Sequence, residues 1–224
     1  MKISFLGTGA ADWNRLEHST WPGFRRNASA LIDDILLIDP GPDVPDALET
    51  FGKDKAGIRY IINTHKHSDH YCKATLADLP DAVFTELKAG ESCRLGPYSI
   101  LALPANHATC PGTVHFLISD GEKQLFYGLD GAWLLYEEYQ AIREQGTDLA
   151  VIDATIGFVD GDFRIFEHND LNMVLEMKKT LDSWVRRWCI SHMARTLHTD
   201  HESLVKYLEP RGVVPAFDGF SFEV

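Results

Sequence analysis

The segment RYIINTHKHSDHY, Arg59 to Tyr71, changes character at its middle. Its first part, Arg59–Asn63, is a short apolar run of the kind that forms a buried strand. Its second part places His65, His67, Asp69 and His70 within six positions. Residues two apart share one side of an extended chain, so His65 and His67 face together. Asp69 and His70 follow where the chain turns toward a helix. One His pair and one Asp–His pair can then serve two adjacent cations, and imidazole with carboxylate suits Zn, Mn or Fe. A single histidine here would be an ordinary loop residue. Four donors at H-x-H-x-D-H spacing point to a metal site.

Working outward, further short strand runs occur at Lys2–Leu6, Ser29–Ile32, Ile35–Ile38, Ala82–Thr85, Ser99–Leu103, Val114–Ile118, Leu125–Tyr127, Leu149–Ile152 and Trp188–Ser191. Most are rich in Val, Ile and Leu and are bounded by Gly, Pro or Asp, as buried strands are. Helical patterns lie between them, at Val44–Phe51, at Trp133–Glu144 with Gly146 as a stop, and at Leu171–Trp184 with an apolar stripe. Thr199 and Glu202 form a T-x-x-E capping box for a last helix carrying Leu204, Val205 and Leu208. Sheets covered by helices, an α/β layered fold, account for this order. Gly7-Thr8-Gly9 after the first strand is a tight turn; Asp12 stands where a dinucleotide fingerprint needs its third glycine.

The 224 residues suit one domain, residues 1–224, with a substantial core. Ile3–Leu6 is too short for the apolar segment of a signal peptide, and no later run approaches a membrane span, so a cytoplasmic protein is expected. The four cysteines, Cys72, Cys93, Cys110 and Cys189, are scattered, which argues against a zinc finger or a disulfide framework and for reduced packing residues. The net charge of −12, with no basic run longer than a pair, disfavours nucleic acid and favours a small substrate.

The H-x-H-x-D-H spacing resembles the signature of the metallo-β-lactamase-fold hydrolases. That resemblance implies a four-layer αββα sandwich, two mixed sheets flanked by helices, and three more ligands, each after a strand. His107 in LPANHATCPG, Asp130 in FYGLDG and His192 in CISHMA stand in the required order. Carried onto this chain, the resemblance implies His65, His67 and His107 on one metal, Asp69, His70 and His192 on the other, and Asp130 bridging both. The cofactor expected is a pair of divalent ions, Zn or Mn, with Fe also accommodated. The flavodi-iron branch has Glu where this chain has His67, which argues against that branch.

At finer grain, FRRNASALI, LLIDPG, EHNDLN and PAFDGFSFEV are similar to the phosphodiesterases that act on a cyclic phosphate of ribose in the carbon–phosphorus lyase pathway. In that family the histidine of the H-x-D-L-N segment faces the substrate phosphate. Here it is His168, which on its residues alone reads equally as a polar residue at a helix entry, beside a cap at Asn169 or Asp170. Members of that group can carry a cysteine-rich insertion near the N-terminus that holds a structural zinc; residues 10–26 here contain no cysteine, a departure that bears on the substrate rather than on the core chemistry.

The chemistry expected is hydrolysis of a small, cyclic phosphodiester by a hydroxide shared between metals about 3.5–4 Å apart. Asp69 orients that hydroxide, and His168 protonates the leaving oxygen or binds the phosphate. Asp39 and Asp153 are candidates for orienting ligand histidines, against a turn-forming role. His18, Arg25, His198 and His201 are candidates for the substrate mouth, against the favoured reading as solvated or helix-face residues. His115, inside an apolar strand, reads as a packed histidine. The alternatives are a tRNA 3′-processing endonuclease, a thioesterase or lactonase on the same site, or a single-iron redox enzyme. Oligomeric state is open, with a homodimer among the options.

Overall fold

Alternation along each strand decides which way the sheets face. In β2 (Ser29–Ile32), Ala30 and Ile32 enter one core and Leu31 another; in β3 (Leu36–Ile38), Leu36 and Ile38 part from Leu37 in the same way. The structure, a computed structural model, describes residues 1–224. The first sheet runs β13 (Ser221–Glu223), β1 (Lys2–Gly7), β2, β3, β4 (Tyr60–Ile62), β5 (Val83–Thr85). The second runs β12 (Val213–Pro215), β11 (Trp188–Ser191), β10 (Leu149–Asp153), β9 (Gln124–Gly128), β8 (Val114–Ser119), β7 (Tyr98–Pro104), β6 (Ser92–Leu95). Both are mixed: β3, β4 and β5 pair parallel, as do β9 to β12, and the other pairs are antiparallel.

One core lies between the sheets. It holds Ile3, Phe5, Ile32 and Ile38 from the first and Tyr98, Phe116, Tyr127, Val151 and Cys189 from the second. The odd neighbours of these residues face outward under helices. Leu31, Leu37 and Ile61 pack beneath α2 (Val44–Thr50). Phe126, Ile152 and Ile190 pack beneath α4 (Tyr136–Gln145), α5 (Leu171–Leu181) and α6 (His201–Leu208). Because strands buried on both faces carry apolar residues on both faces, the runs read as continuous rather than alternating. The layers are helix, sheet, sheet, helix, the four-layer sandwich expected. No helix is long and apolar enough to cross a membrane.

Several boundaries differ from expectation for local reasons. Helix α4 starts at Tyr136, not Trp133, because Trp133 takes φ +57° and donates its N–H to Asn169. Helix α5 stops at Leu181, three residues before Trp184. The Thr199–Glu202 box does not form: Asp200 caps α6 instead, accepting from the Ser203 N–H at 2.9 Å. The sequence reading missed α1 (Arg15–His18), α3 (Lys73–Ala77) and strands β6, β12 and β13. The last three are edge strands of three or four residues, one containing proline, and too short to carry a period.

Candidate active site

The site gathers where strands end. Asp39 follows β3, the His65–His70 loop follows β4, His107 follows β7, Asp130 follows β9, Asp153 ends β10 and His192 follows β11. Carboxyl ends of strands leave loops free to converge while the sheet fixes their roots. Three of these residues hold left-handed backbone, Asp39 at φ +59°, Asp130 at +58° and His192 at +60°. A left-handed non-glycine costs on the order of 1–2 kcal/mol, so three at one place mark positions held for their side chains.

Asp130 is the hub. Its Oδ2 lies 3.0 Å from His65 Nε2 and 3.1 Å from His70 Nε2, and its Oδ1 lies 3.0 Å from His192 Nε2. Asp69 Oδ2 stands 3.4 Å from His70 Nε2 and 3.6 Å from His192 Nε2. His67 Nδ1 faces His107 Nε2 at 3.1 Å. Two four-donor groups result: His65, His67, His107 and Asp130, and Asp69, His70, Asp130 and His192, each with donor atoms within 4.8 Å of one another. The structure thus brings together all seven candidate metal ligands, with Asp130 common to both groups. A third grouping of Asp130, Asp153, His168 and His192 adjoins them.

The atoms behind the rings set their tautomers. Asp39 Oδ2 faces His70 Nδ1 at 2.9 Å, and a carboxylate only accepts, so His70 Nδ1 carries the proton. Thr64 donates its hydroxyl to Asp39 at 2.8 Å and so accepts from His65 Nδ1 at 3.0 Å. Thr155, donating to Asp153 at 2.9 Å, accepts from His192 Nδ1 at 2.7 Å in the same manner. Each of these three Nε2 atoms therefore presents a lone pair inward. All three are buried and unpartnered, as is Asp130 Oδ1. Lone pairs facing carboxylate oxygens at 3.0–3.1 Å repel unless positive charge lies between them.

No lysine or arginine pairs with Asp39, Asp69, Asp130 or Asp153, all of them buried. With protons alone supplying the charge, burial disfavours an imidazolium at His192, but Asp130 and Asp153 outweigh it and push the pKa up to about 10. His70 is raised well above its usual value for the same reason, by Asp69 and Asp130 against complete burial. Burial alone would lift Asp130 and Asp69, yet the neighbouring histidines hold both far below the carboxylate range. Burial dominates at His107, lowering it to about 4, and at His65, also lowered. Inward lone pairs, clustered carboxylates and no basic side chain form a donor set that fits divalent cations.

His168 sits at the N-terminal approach to α5, two residues before Asp170, which caps the helix. Its Nδ1 lies 3.1 Å from Asp153 Oδ2 and 3.4 Å from Asp130 Oδ1, and its ring stacks on His192 with centroids 5.5 Å apart. The Asp153 carboxylate also accepts from the N–H groups of Asp130, Thr155 and Asn169, so it braces four parts of the site. His168, Asp69 and His192 line a cleft of about 260 Å³ together with Thr109, Arg164 and Glu167.

None of the four candidates for the substrate mouth lines the cleft. Arg25 is buried, donating to Thr8 Oγ1 at 2.6 Å and the Ala216 carbonyl at 2.9 Å, so it ties the β1–β2 region to the chain after β12 rather than lining the cleft. His198 turns its Nε2 onto the Ala154 carbonyl, which braces the loop after β10. His18 packs under Trp13 and Trp21, and His201 faces Arg25 at 3.3 Å. His115 is packed, as expected, and paired with buried Glu138. Thr155 and Glu167 escaped the sequence reading, and Asn169 was read only as a possible helix cap; the proximity of Thr155 to Asp153 in VIDAT was the only available sign of the first.

Residues 23–76 match the profile of the Metallo-beta-lactamase superfamily. No curated protein sequence matches the chain. Among solved structures, Zn²⁺-bound PqqB from Methylobacterium extorquens superposes with a TM-score of 0.76 at 16% identity, covering 100% of both chains. A diphosphatase from the PhnP family gives 0.75 at 18%, covering 100% of this chain and 98% of its own. The short form of human tRNase Z gives 0.74 at 15%, covering 100% and 99%. With two mixed sheets, flanking helices and this whole-length likeness, the chain has the metallo-β-lactamase fold.

Proposed function

We propose that this chain is a metal-dependent hydrolase whose substrate is a small phosphodiester. The observation that carries the reading is the placement of His168. Its Nδ1–H is taken by Asp153, its ring lies against His192, and Nε2 is left to whatever occupies the cleft. Burial disfavours charge on His168, but in the metal-free protein Asp153 and Asp130 outweigh it and raise its pKa. A proton donor beside the donor cluster suits departure of an alkoxide from phosphorus.

In this reading His65, His67 and His107 hold one divalent cation, Asp69, His70 and His192 a second, and Asp130 serves both. Such cations supply Lewis acidity, bringing the pKa of a water at the site toward about 7 and offsetting charge on substrate oxygens. Asp69, buried and held ionised, accepts a hydrogen bond from the attacking water and orients it. Asp39, Thr64 and Thr155 fix the rings that the water and substrate meet. The likeness to a PhnP-family diphosphatase supports phosphorus chemistry. The net charge of −12 weighs against the tRNA substrate suggested by the name of human tRNase Z.

The test is turnover of a cyclic ribose phosphate, bis-nitrophenyl phosphate, a thioester and a lactone after loading with Zn²⁺ or Mn²⁺. Turnover of the phosphodiesters is expected. Turnover confined to the thioester or lactone would overturn the phosphodiester assignment, and one iron per chain with oxygen consumption would overturn hydrolysis.

A further inference from the structure

Of the four imidazoles whose Nε2 faces the donor cluster, three have a protein acceptor behind Nδ1 and one does not. His70 has Asp39, His65 has Thr64 and His192 has Thr155. His107, only 4% exposed, has a buried Nδ1 with no partner. The one carboxylate within 4.0 Å of that nitrogen is Glu167, whose Oε2 stands at that distance. Glu167 is partly solvated and is held where it is by a hydrogen bond from Thr109 Oγ1 at 2.7 Å.

We infer that Glu167 is the positioning residue for His107. Its carboxylate takes the Nδ1 proton and fixes the tautomer in which His107 Nε2 presents its lone pair beside His67. The inference rests on the metal-centre reading above. Two observations make it more than proximity. An unpartnered buried N–H costs about 1–3 kcal/mol, and here a carboxylate oxygen stands 4.0 Å from the nitrogen. Glu167 also follows a single turn of 3₁₀ helix, Phe163–Phe166, in which residues three apart eclipse. Glu167 ends that turn, its N–H donating to the Arg164 carbonyl, and both residues line the cleft. The loop that borders the substrate thus carries the group that orients a ligand. A carboxylate behind a ligating imidazole raises its donor strength, and removing such a partner weakens metal affinity by about 10–100-fold.

The test is a titration of metal-free protein with Zn²⁺, and separately Mn²⁺, against a chromophoric chelator. Glu167→Ala is expected to weaken one of two equivalents about tenfold and leave the other unchanged. Glu167→Gln, which keeps an acceptor oxygen, is expected to lose less. In the zinc-loaded wild type, nitrogen-15 spectra of the histidine side chains should show a protected Nδ1–H on His107, absent in Glu167→Ala. If the wild type binds two equivalents and Glu167→Ala matches it on both, the positioning role is wrong while the metal centre stands. If the wild type binds none, both fall. A third equivalent lost with Glu167 would make it a ligand and overturn the inference.

Discussion

Asp39 stands directly behind His70, its Oδ2 2.9 Å from the ring's Nδ1, with both side chains fully buried. The other oxygen of the same carboxylate takes Asn63 Nδ2, the Thr64 N–H and the Thr64 hydroxyl. Asp39→Asn keeps the shape and tolerates the left-handed backbone, but it replaces one acceptor with a donor. The variant should stay folded and lose metal affinity by about 10–100-fold, read by chelator competition. Undiminished affinity would show that His70 needs no such partner.

His168→Ala removes the proposed proton donor, which is a member of neither four-donor group that contains Asp130 with His65 or with Asp69. Turnover of a phosphodiester should fall by about 10²–10⁴-fold in kcat, with two metals still bound by elemental analysis. The deficit should shrink for a substrate with an acidic leaving group such as nitrophenol, because that leaving group departs without a proton. An equal loss on both substrates would assign His168 to phosphate binding instead.

Gly41 shows how tightly the metal loop is seated. A Cβ at this position would lie 2.1 Å from the Asp69 carbonyl oxygen. That oxygen is backbone, so it cannot rotate away. Gly41→Ala should cost about 1–3 kcal/mol in chemical denaturation and displace Asp69 and His70 together. A variant that melts like wild type and keeps its activity would mean that the loop yields freely.

His115 and Glu138 offer a pH signature away from the site. Burial favours a neutral ring, but Glu138 Oε1 at 2.5 Å and the Leu129 carbonyl at 3.0 Å outweigh it and raise the His115 pKa. A folded-state value above the unfolded one of about 6.5 means the pair stabilises fully below about pH 6.5. The contribution fades as pH climbs through the raised value. Thermal melts of wild type and His115→Gln should differ most at the acid end and converge toward alkaline pH. A gap that widens with pH would reverse the assignment.

The legible parts of the sequence were those where one residue type in one spacing has few uses. His65 to His70 and the strands around them could be read because period-2 geometry and metal donors are local properties. The grouping of His107, Asp130 and His192 with them came from a family resemblance, since their loops meet only after two sheets dock. Arg25 was misjudged because a buried guanidinium satisfied by Thr8 and Ala216 looks, in sequence, like any arginine in a loop. Glu167 and Thr155 were illegible for the opposite reason: their partners, His107 and His192, lie 60 and 37 residues away.

Every donor on the His65–His70 loop is rooted in the first sheet, whereas His107, Asp130 and His192 hang from the second. A cation held by both sets is therefore a staple across the sandwich as well as a reagent. A chain with only one sheet formed owns half a site, so occupancy reports that the two halves have met. At a free metal concentration 100 times Kd, each bound ion adds about 2.7 kcal/mol against unfolding. Stripping the metals should thus lower Tm and loosen amide protection at the ends of the strands that carry the donors, β4 in the first sheet and β7, β9 and β11 in the second.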